Sequence, residues 1–208
     1  VKQLALRRTD IVTYQEAAQW AAAVHAQQQN VGHCSKGKYR RSDGGLYEGE
    51  LQDGIPHGTG TLTYLDGTVY SGEFVDGLPQ GRGVVTLSDG VTWEGTWRRG
   101  KEHGTVRYTD KEGNVTTIVY DDEGVRASSG TVTYCDGRVY EGEVDGFKPH
   151  GVGTMAAGDG SWEYRGEFAG GLRWGQGALL QFTHSDDGAA AAKRISSVYA
   201  GGWAMDRK

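Results

Sequence analysis

The sequence is short of proline, cysteine and long apolar runs. Only three prolines and two cysteines occur among 208 residues. So little proline, without glycine at every third position, excludes a collagen. Two cysteines, Cys34 and Cys135, are too few for a disulfide framework and read as free thiols of a reducing compartment. No apolar run approaches the ~20 residues that span a bilayer as a helix. The first thirty residues carry no apolar core of a secretion signal, so a cytoplasmic and not a secreted protein is expected. Glycine is absent before Gly32, and this absence divides the chain into a head and a body.

The body holds all 35 glycines, in a chain whose share of glycine is more than twice the average of about 7%. Six Trp, eleven Tyr and four Phe exclude a wholly disordered chain, which would be poor in aromatics. The formal net charge of −5 is unevenly placed. The first 46 residues carry an excess of Lys and Arg, and the remainder an excess of Asp and Glu. An acidic body argues against nucleic acid as a partner.

The body repeats itself. Tyr47, Tyr70 and Trp93 are equally spaced, and each opens a unit of about 23 residues. Units begin near 47, 70, 93, 120, 140, 164 and 199; the one at 120 is degenerate in its first half. An aromatic starts each unit, glycine follows at the third position, and an apolar residue usually takes the fifth. A glycine-bearing turn, Gly-x-Gly, a β-branched stretch and Asp-Gly complete it. The period of two and the wealth of Thr, Val and Tyr mark strands. Asp66-Gly67, Asp89-Gly90, Asp136-Gly137 and Asp159-Gly160 read as hairpin turns, because glycine accepts positive φ.

The run Tyr-Glu-Gly-Glu-Leu-x-x-Gly-x-x-His-Gly-x-Gly at 47–60, with copies at 70, 93, 140 and 164, resembles the MORN repeat (membrane occupation and recognition nexus). The reading is therefore a mainly β protein. It expects an elongated, twisted, single antiparallel sheet of repeated hairpins over 42–208, with an N-terminal α-helix. A single sheet has no second layer to bury its apolar face. The rings are expected to lie over glycines of adjacent strands and to leave a shallow aromatic-lined groove. The basic head, 1–41, carries a capping box at Thr13-Tyr14-Gln15-Glu16 and a helical stripe of Tyr14, Ala17, Ala21, Val24 and Gln28. A helix over about 14–29 follows, expected to cap the first repeat or pack on the sheet, or else to engage another protein.

Several motifs have plain structural readings. The Gly-x-Gly pairs at 58–60, 81–83, 151–153 and 175–177 recur from hairpin to hairpin and lack the third glycine and helix of a phosphate loop. His57, His103 and His150 share one repeat position with Gln80 and Trp174, which favours a turn role over a metal site. Glu50, Glu73, Glu143 and Glu167 form an acidic ladder, expected to face solvent or a partner. No nucleophile with a placed base can be named, so no enzyme, cofactor or metal is expected.

What the resemblance implies is a non-catalytic scaffold, a structural subunit of a cytoskeletal or flagellar type of assembly. Its expected partner-binding groove is Tyr47, Tyr70, Phe74, Trp93, Trp97, Tyr140, Tyr164 and Phe168. Such a groove could take the apolar stripe of a partner helix. Arg40, Arg41, Arg98, Arg99 and Lys101 are the candidate contacts for anionic lipid or an acidic partner. The alternatives are a phospholipid-binding membrane tether and an accessory region of a larger enzyme. The last unit stops after Trp203, so the natural chain is expected to run past Lys208, or a homodimer or assembly partner to cover that edge.

Overall fold

The computed structural model describes residues 34–41, 43–184 and 193–206. The helix expected over 14–29 lies outside them. Fourteen strands form one open sheet in which spatial order follows chain order. Pairing is antiparallel from β1 to β7 and from β9 to β14. By contacts the chain divides into two units, one of residues 1–111 with 119–126, the other of 112–118 with 127–208.

The first unit holds β1 (Cys34–Arg40), β2 (Leu46–Gln52), β3 (Ile55–Thr63), β4 (Val69–Val75), β5 (Leu78–Thr86), β6 (Thr92–Arg98) and β7 (Lys101–Thr109). Among the described residues the first strand begins at Cys34, ahead of the residue 42 expected to open the array. Gly37 sits opposite Gly49 just as Gly60 sits opposite Gly72, so β1 is the second half of a further hairpin. Two-residue loops join β2 to β3, β4 to β5 and β6 to β7. Both loop residues have positive φ: Asp53 52° and Gly54 77°, Asp76 50° and Gly77 80°, Arg99 51° and Gly100 76°. This is the type I′ turn, whose twist matches the strands it joins. The Asp-Gly pairs at 66 and 89 sit instead in the longer connections between hairpins. There the aspartate accepts a backbone N–H two residues on, Thr68 at 2.8 Å and Val91 at 3.2 Å.

The second unit holds most of β8 (Val115–Tyr120), then β9 (Arg126–Thr133), β10 (Val139–Asp145), β11 (Lys148–Ala156), β12 (Trp162–Ala169), β13 (Leu172–His184) and β14 (Lys193–Trp203). β8 re-phases the degenerate repeat. Tyr47, Tyr70, Trp93 and Tyr140 are each the second residue of their strand, and in β8 that place belongs to Thr116. Tyr120, expected to open the unit, takes the fifth position instead, the place of Phe74 and Trp97. Thr116 is buried, and its hydroxyl donates to the Phe147 carbonyl at 3.2 Å. An aromatic was the only signal for a repeat start, and threonine conceals it.

Candidate functional site

The two faces of the first unit differ because of where the glycines point. A Cβ placed on Gly60 would lie 2.4 Å from the Tyr47 hydroxyl and 2.6 Å from its ring. On Gly83 it would meet Tyr70 in the same way. The tyrosine ring therefore lies flat across the glycine of the next strand, as expected from the sequence. Its hydroxyl then donates to the carbonyl three residues on, Tyr47 to Glu50 at 2.7 Å and Tyr70 to Glu73 at 3.0 Å. That carbonyl belongs to a β-bulge, where register shifts between Gly49 and Leu51 and between Gly72 and Phe74. Tyr140 and Tyr164 repeat the bond in the second unit, at 2.5 and 3.2 Å.

Rings of successive repeats then interlock edge to face. Phe74 touches both Tyr47 and Tyr70 at 5.1 Å, and Trp97 touches Tyr70 at 5.4 Å. In the second unit Phe168 lies between Tyr140 and Tyr164 at 4.8 and 5.1 Å. Such T-shaped contacts satisfy the ring quadrupole and add to the burial itself. The Trp93 repeat departs from the rule. Val106 fills the glycine place, and Trp93 packs on Tyr108 at 5.5 Å. The buried indole N–H groups of Trp93 and Trp97 find no acceptor among the described residues.

All eight candidate groove residues therefore lie in this aromatic layer. Tyr47, Tyr70, Phe74, Trp93, Trp97, Tyr140, Tyr164 and Phe168 are 0–8% exposed. Rather than lining an open groove, they are the core. The reason is the glycine row: with no Cβ beneath them, the rings drop onto the backbone and cover one another. Burial also pushes the tyrosine hydroxyls up. With Glu50 adding to it, Tyr47 reaches about 12 from 10.0, and Tyr140 also reaches about 12. Tyr70, Tyr108 and Tyr164 move the same way for the same first cause.

The acidic ladder belongs to the bulges. The Glu73 carboxylate accepts the Arg82 backbone N–H at 2.9 Å, and that of Glu143 accepts Val152 N–H at 3.2 Å. Glu50 accepts the Thr59 hydroxyl at 2.9 Å, and Glu167 the Gln176 N–H at 3.1 Å. Each carboxylate also covers a glycine at positive φ, with Gly81 at 66° closing on Glu73. These four glutamates hold strands together, a role the repeat spacing alone did not reveal.

The groove is on the other face. An open trough of about 990 Å³ crosses β1 to β7, wholly within the first unit. Its floor is backbone, along the row Gly37, Gly49, Gly60, Gly72, Gly83 and Gly95. The side chains one residue either side of that row form its walls, roughly 7 Å apart along each strand. Midway they are short: Thr59, Thr61, Ser71 and Thr96. Charges of both signs line it as well, Lys36, Lys38, Arg82 and Arg107 against Glu48, Glu73 and Glu94. Lys38 and Glu48 form an ion pair at 2.9 Å.

The candidate lipid contacts are partly engaged within the chain. Arg41 pairs with Asp43 at 2.7 Å, its side chain only 9% exposed, and stands over the Tyr64 ring at 5.9 Å. Arg98 pairs with Asp122 at 3.3 Å, and Arg40 donates to the Gly44 carbonyl at 3.3 Å. Arg99 occupies the type I′ loop, its N–H on Gln80 Oε1 at 3.0 Å, and Lys101 is exposed. His103 Nδ1 lies 3.3 Å from the Asp121 carbonyl. Among the described residues no three His, Cys, Asp or Glu side chains gather as metal ligands, and no helix is long and apolar enough to cross a membrane.

A family model for the MORN repeat matches residues 47–69, 70–92, 93–115, 140–162 and 164–180. The third match ends where β8 begins, in keeping with the repeat phase set by Thr116. No curated protein gives a significant match.

Proposed function

The chain belongs to the MORN-repeat family, and from that premise we propose that it is a protein-interaction scaffold, a structural subunit of a larger assembly, whose polar trough receives the partner. MORN repeats form a non-enzymatic repeat module and are commonly involved in protein or membrane-lipid interactions. The observation that carries the reading is the division of the sheet. One face spends its aromatics on the core, and the other presents an open, pre-formed trough of hydroxyls and charges. A pre-ordered surface loses little entropy on binding. Five of the aromatics, Tyr47, Tyr70, Phe74, Trp93 and Trp97, serve it from beneath, as the rigid layer on which the trough floor rests.

The charge lining the trough favours a protein over a membrane. Four cations there face three carboxylates, whereas an anionic bilayer draws on a dense cationic patch. Arg41 and Arg98 are already paired with Asp43 and Asp122. The cytoskeletal or flagellar setting rests on the family resemblance, and the sheet edges are the second surface offered to assembly partners.

Purification of the assembly from native material with wild-type protein and with the Ser71→Arg, Thr96→Arg pair tests the reading. Loss of a reproducible set of proteins with the pair, at unchanged fold, is the expected result. An identical set would refute the trough. Flotation with phosphatidylserine vesicles should show no binding; flotation reversed by salt would instead support the lipid tether.

A further inference from the structure

The first and last strands of the sheet are complementary halves of one hairpin. We propose that copies of this chain join head to tail, β14 of one pairing antiparallel with β1 of the next, with Gly201 opposite Gly37. The inference does not use the trough; it gives an occupant to the second surface named above, the sheet edges.

β14 has the features of a first strand. Tyr199 opens the unit, Gly201 takes its third place and Trp203 its fifth. The Tyr199 hydroxyl donates to the carbonyl three residues on, Gly202 at 3.1 Å, as those of Tyr47 and Tyr70 do. Trp203 stands between Tyr164 and Tyr199 at 5.1 and 5.3 Å, the place that Phe74 has between Tyr47 and Tyr70. Met205 and Asp206 follow at φ 49° and 65°, and the Asp206 N–H donates to the Arg173 carbonyl at 3.0 Å, as Gly77 donates to Pro56. Tyr47, Tyr70, Tyr140 and Tyr164 each also cover a glycine of the strand that follows, and each is 0–1% exposed. Tyr199 is half-buried, and among the described residues no strand follows β14.

β1 has the features of a second strand. Gly83 in β5 has a glycine on both sides, Gly72 and Gly95, and lies under the Tyr70 ring. Gly37 has Gly49 on one side. Among the described residues a Cβ on Gly37 would meet Leu51 and no ring. Thirteen places before Gly37, where the repeat puts its tyrosine, the sequence has Val24. One end of the sheet thus offers a ring in place for a glycine strand, and the other a glycine strand in place for a ring.

The interior pairs set the register. In them glycine faces glycine, and the opening tyrosine faces the residue two beyond that glycine, Tyr70 with Val85 and Tyr164 with Leu179. Across the joint Tyr199 then faces Tyr39, Ala200 faces Lys38 and Val198 faces Arg40. Val85 and Leu179 are buried, whereas Tyr39 is half-buried in the single chain and gains cover at the joint. Val198 is 59% exposed and Ala200 is exposed as well. The cations of β1 therefore meet small or aliphatic side chains, and no like charges face each other. Two different surfaces meet, so the contact is heterologous and repeats from copy to copy, as a closed ring or an open filament.

Sedimentation of the full chain over a dilution series tests the association. Masses rising with concentration in whole multiples of 22.4 kDa are expected. Val198→Lys sets a lysine against the next copy's Arg40 and should weaken association about fivefold at an unchanged unfolding midpoint. Adding Arg40→Glu should restore most of that loss. Direction is tested by mixing two chains, one with Ala200→Cys and one with Lys38→Cys, each with Cys34 and Cys135 changed to Ser. Under oxidation a disulfide between the two kinds of chain is expected to form several times faster than in either chain alone. A single-chain mass throughout, no effect of Val198→Lys, no recovery with Arg40→Glu, or Ala200→Cys crosslinking as fast alone as in the mixture overturns the proposal. Each of these outcomes leaves the trough standing, because partner capture that depends on Ser71 and Thr96 is measured separately.

Discussion

At the residue scale the fold rests on one pairing, a tyrosine at the start of a repeat over a glycine thirteen residues later. Tyr47 with Gly60, Tyr70 with Gly83, Tyr140 with Gly153 and Tyr164 with Gly177 all obey it, and Trp93 with Val106 is the exception. Gly60→Ala drives a methyl into the Tyr47 ring and is expected to cost about 1–3 kcal/mol, measured by denaturant unfolding. Tyr47→Phe leaves the Glu50 carbonyl without its donor and should cost about 1 kcal/mol. The same tyrosines set an alkaline limit. An unfolded tyrosine loses its proton near 10, while folded Tyr47 and Tyr140 hold theirs to about 12. The folded state thus binds more protons above pH 10, so stability is whole below pH 10 and falls as pH rises through about 12. Circular dichroism with tyrosinate absorbance should show unfolding in that window. Stability unchanged from pH 9 to 12 would contradict the role given to these hydroxyls.

At the element scale the hairpin is the unit, and its parts were unequally legible. Strands and repeat length could be read from the aromatics and from period-two alternation. The turn types could not: Asp-Gly occurs at both ends of the hairpin, and only φ separates the type I′ loop at Asp53-Gly54 from the longer turn at Asp66-Gly67. The bulge was also hidden, because Glu50 reads as an exposed charge until its carboxylate is seen reaching the next strand. The three prolines explain themselves only in space. Pro56, Pro79 and Pro149 share one repeat position, and each carbonyl accepts the N–H of a glycine in a later turn at 2.9–3.0 Å. Arg99 is the misfit, a long side chain at φ 51° where neighbouring hairpins have aspartate. Arg99→Gly is expected to raise stability by about 1 kcal/mol by removing left-handed strain. A neutral or harmful effect would show that the Arg99 side chain makes a compensating contact.

At the scale of the whole molecule, the candidate site was only half legible. Aromatics repeated along a chain mark a face, and the sequence identified that face well. It could not reveal whether the face is open, because that depends on the depth to which a ring sinks when the residue beneath lacks a Cβ. The trough escaped notice for the complementary reason. Threonine, serine and paired charges carry no motif, and they become a site only when pairing brings Thr61 beside Ser71 and Gly60 beside Gly72. Trp97→Ala follows from this assignment. It is a core deletion, expected to cost about 3–5 kcal/mol and not to act as a selective binding mutation.

The central claim is that one face of the sheet is core and the other is open. Ser71 and Gly72 are adjacent residues of β4 on opposite sides of that division. Thermal unfolding of Ser71→Arg and Gly72→Ala, measured side by side, tests it most directly. A Cβ on Gly72 would lie 2.6 Å from the Tyr70 hydroxyl and 2.6 Å from the facing backbone. Gly72→Ala should therefore lower the midpoint by several degrees, at about 2–4 °C per kcal/mol for a chain of this size. Ser71→Arg should leave it within about 1 °C, since surface changes are usually worth less than ~0.5 kcal/mol. Equal losses for the two, or a larger loss for Ser71→Arg, would contradict the account.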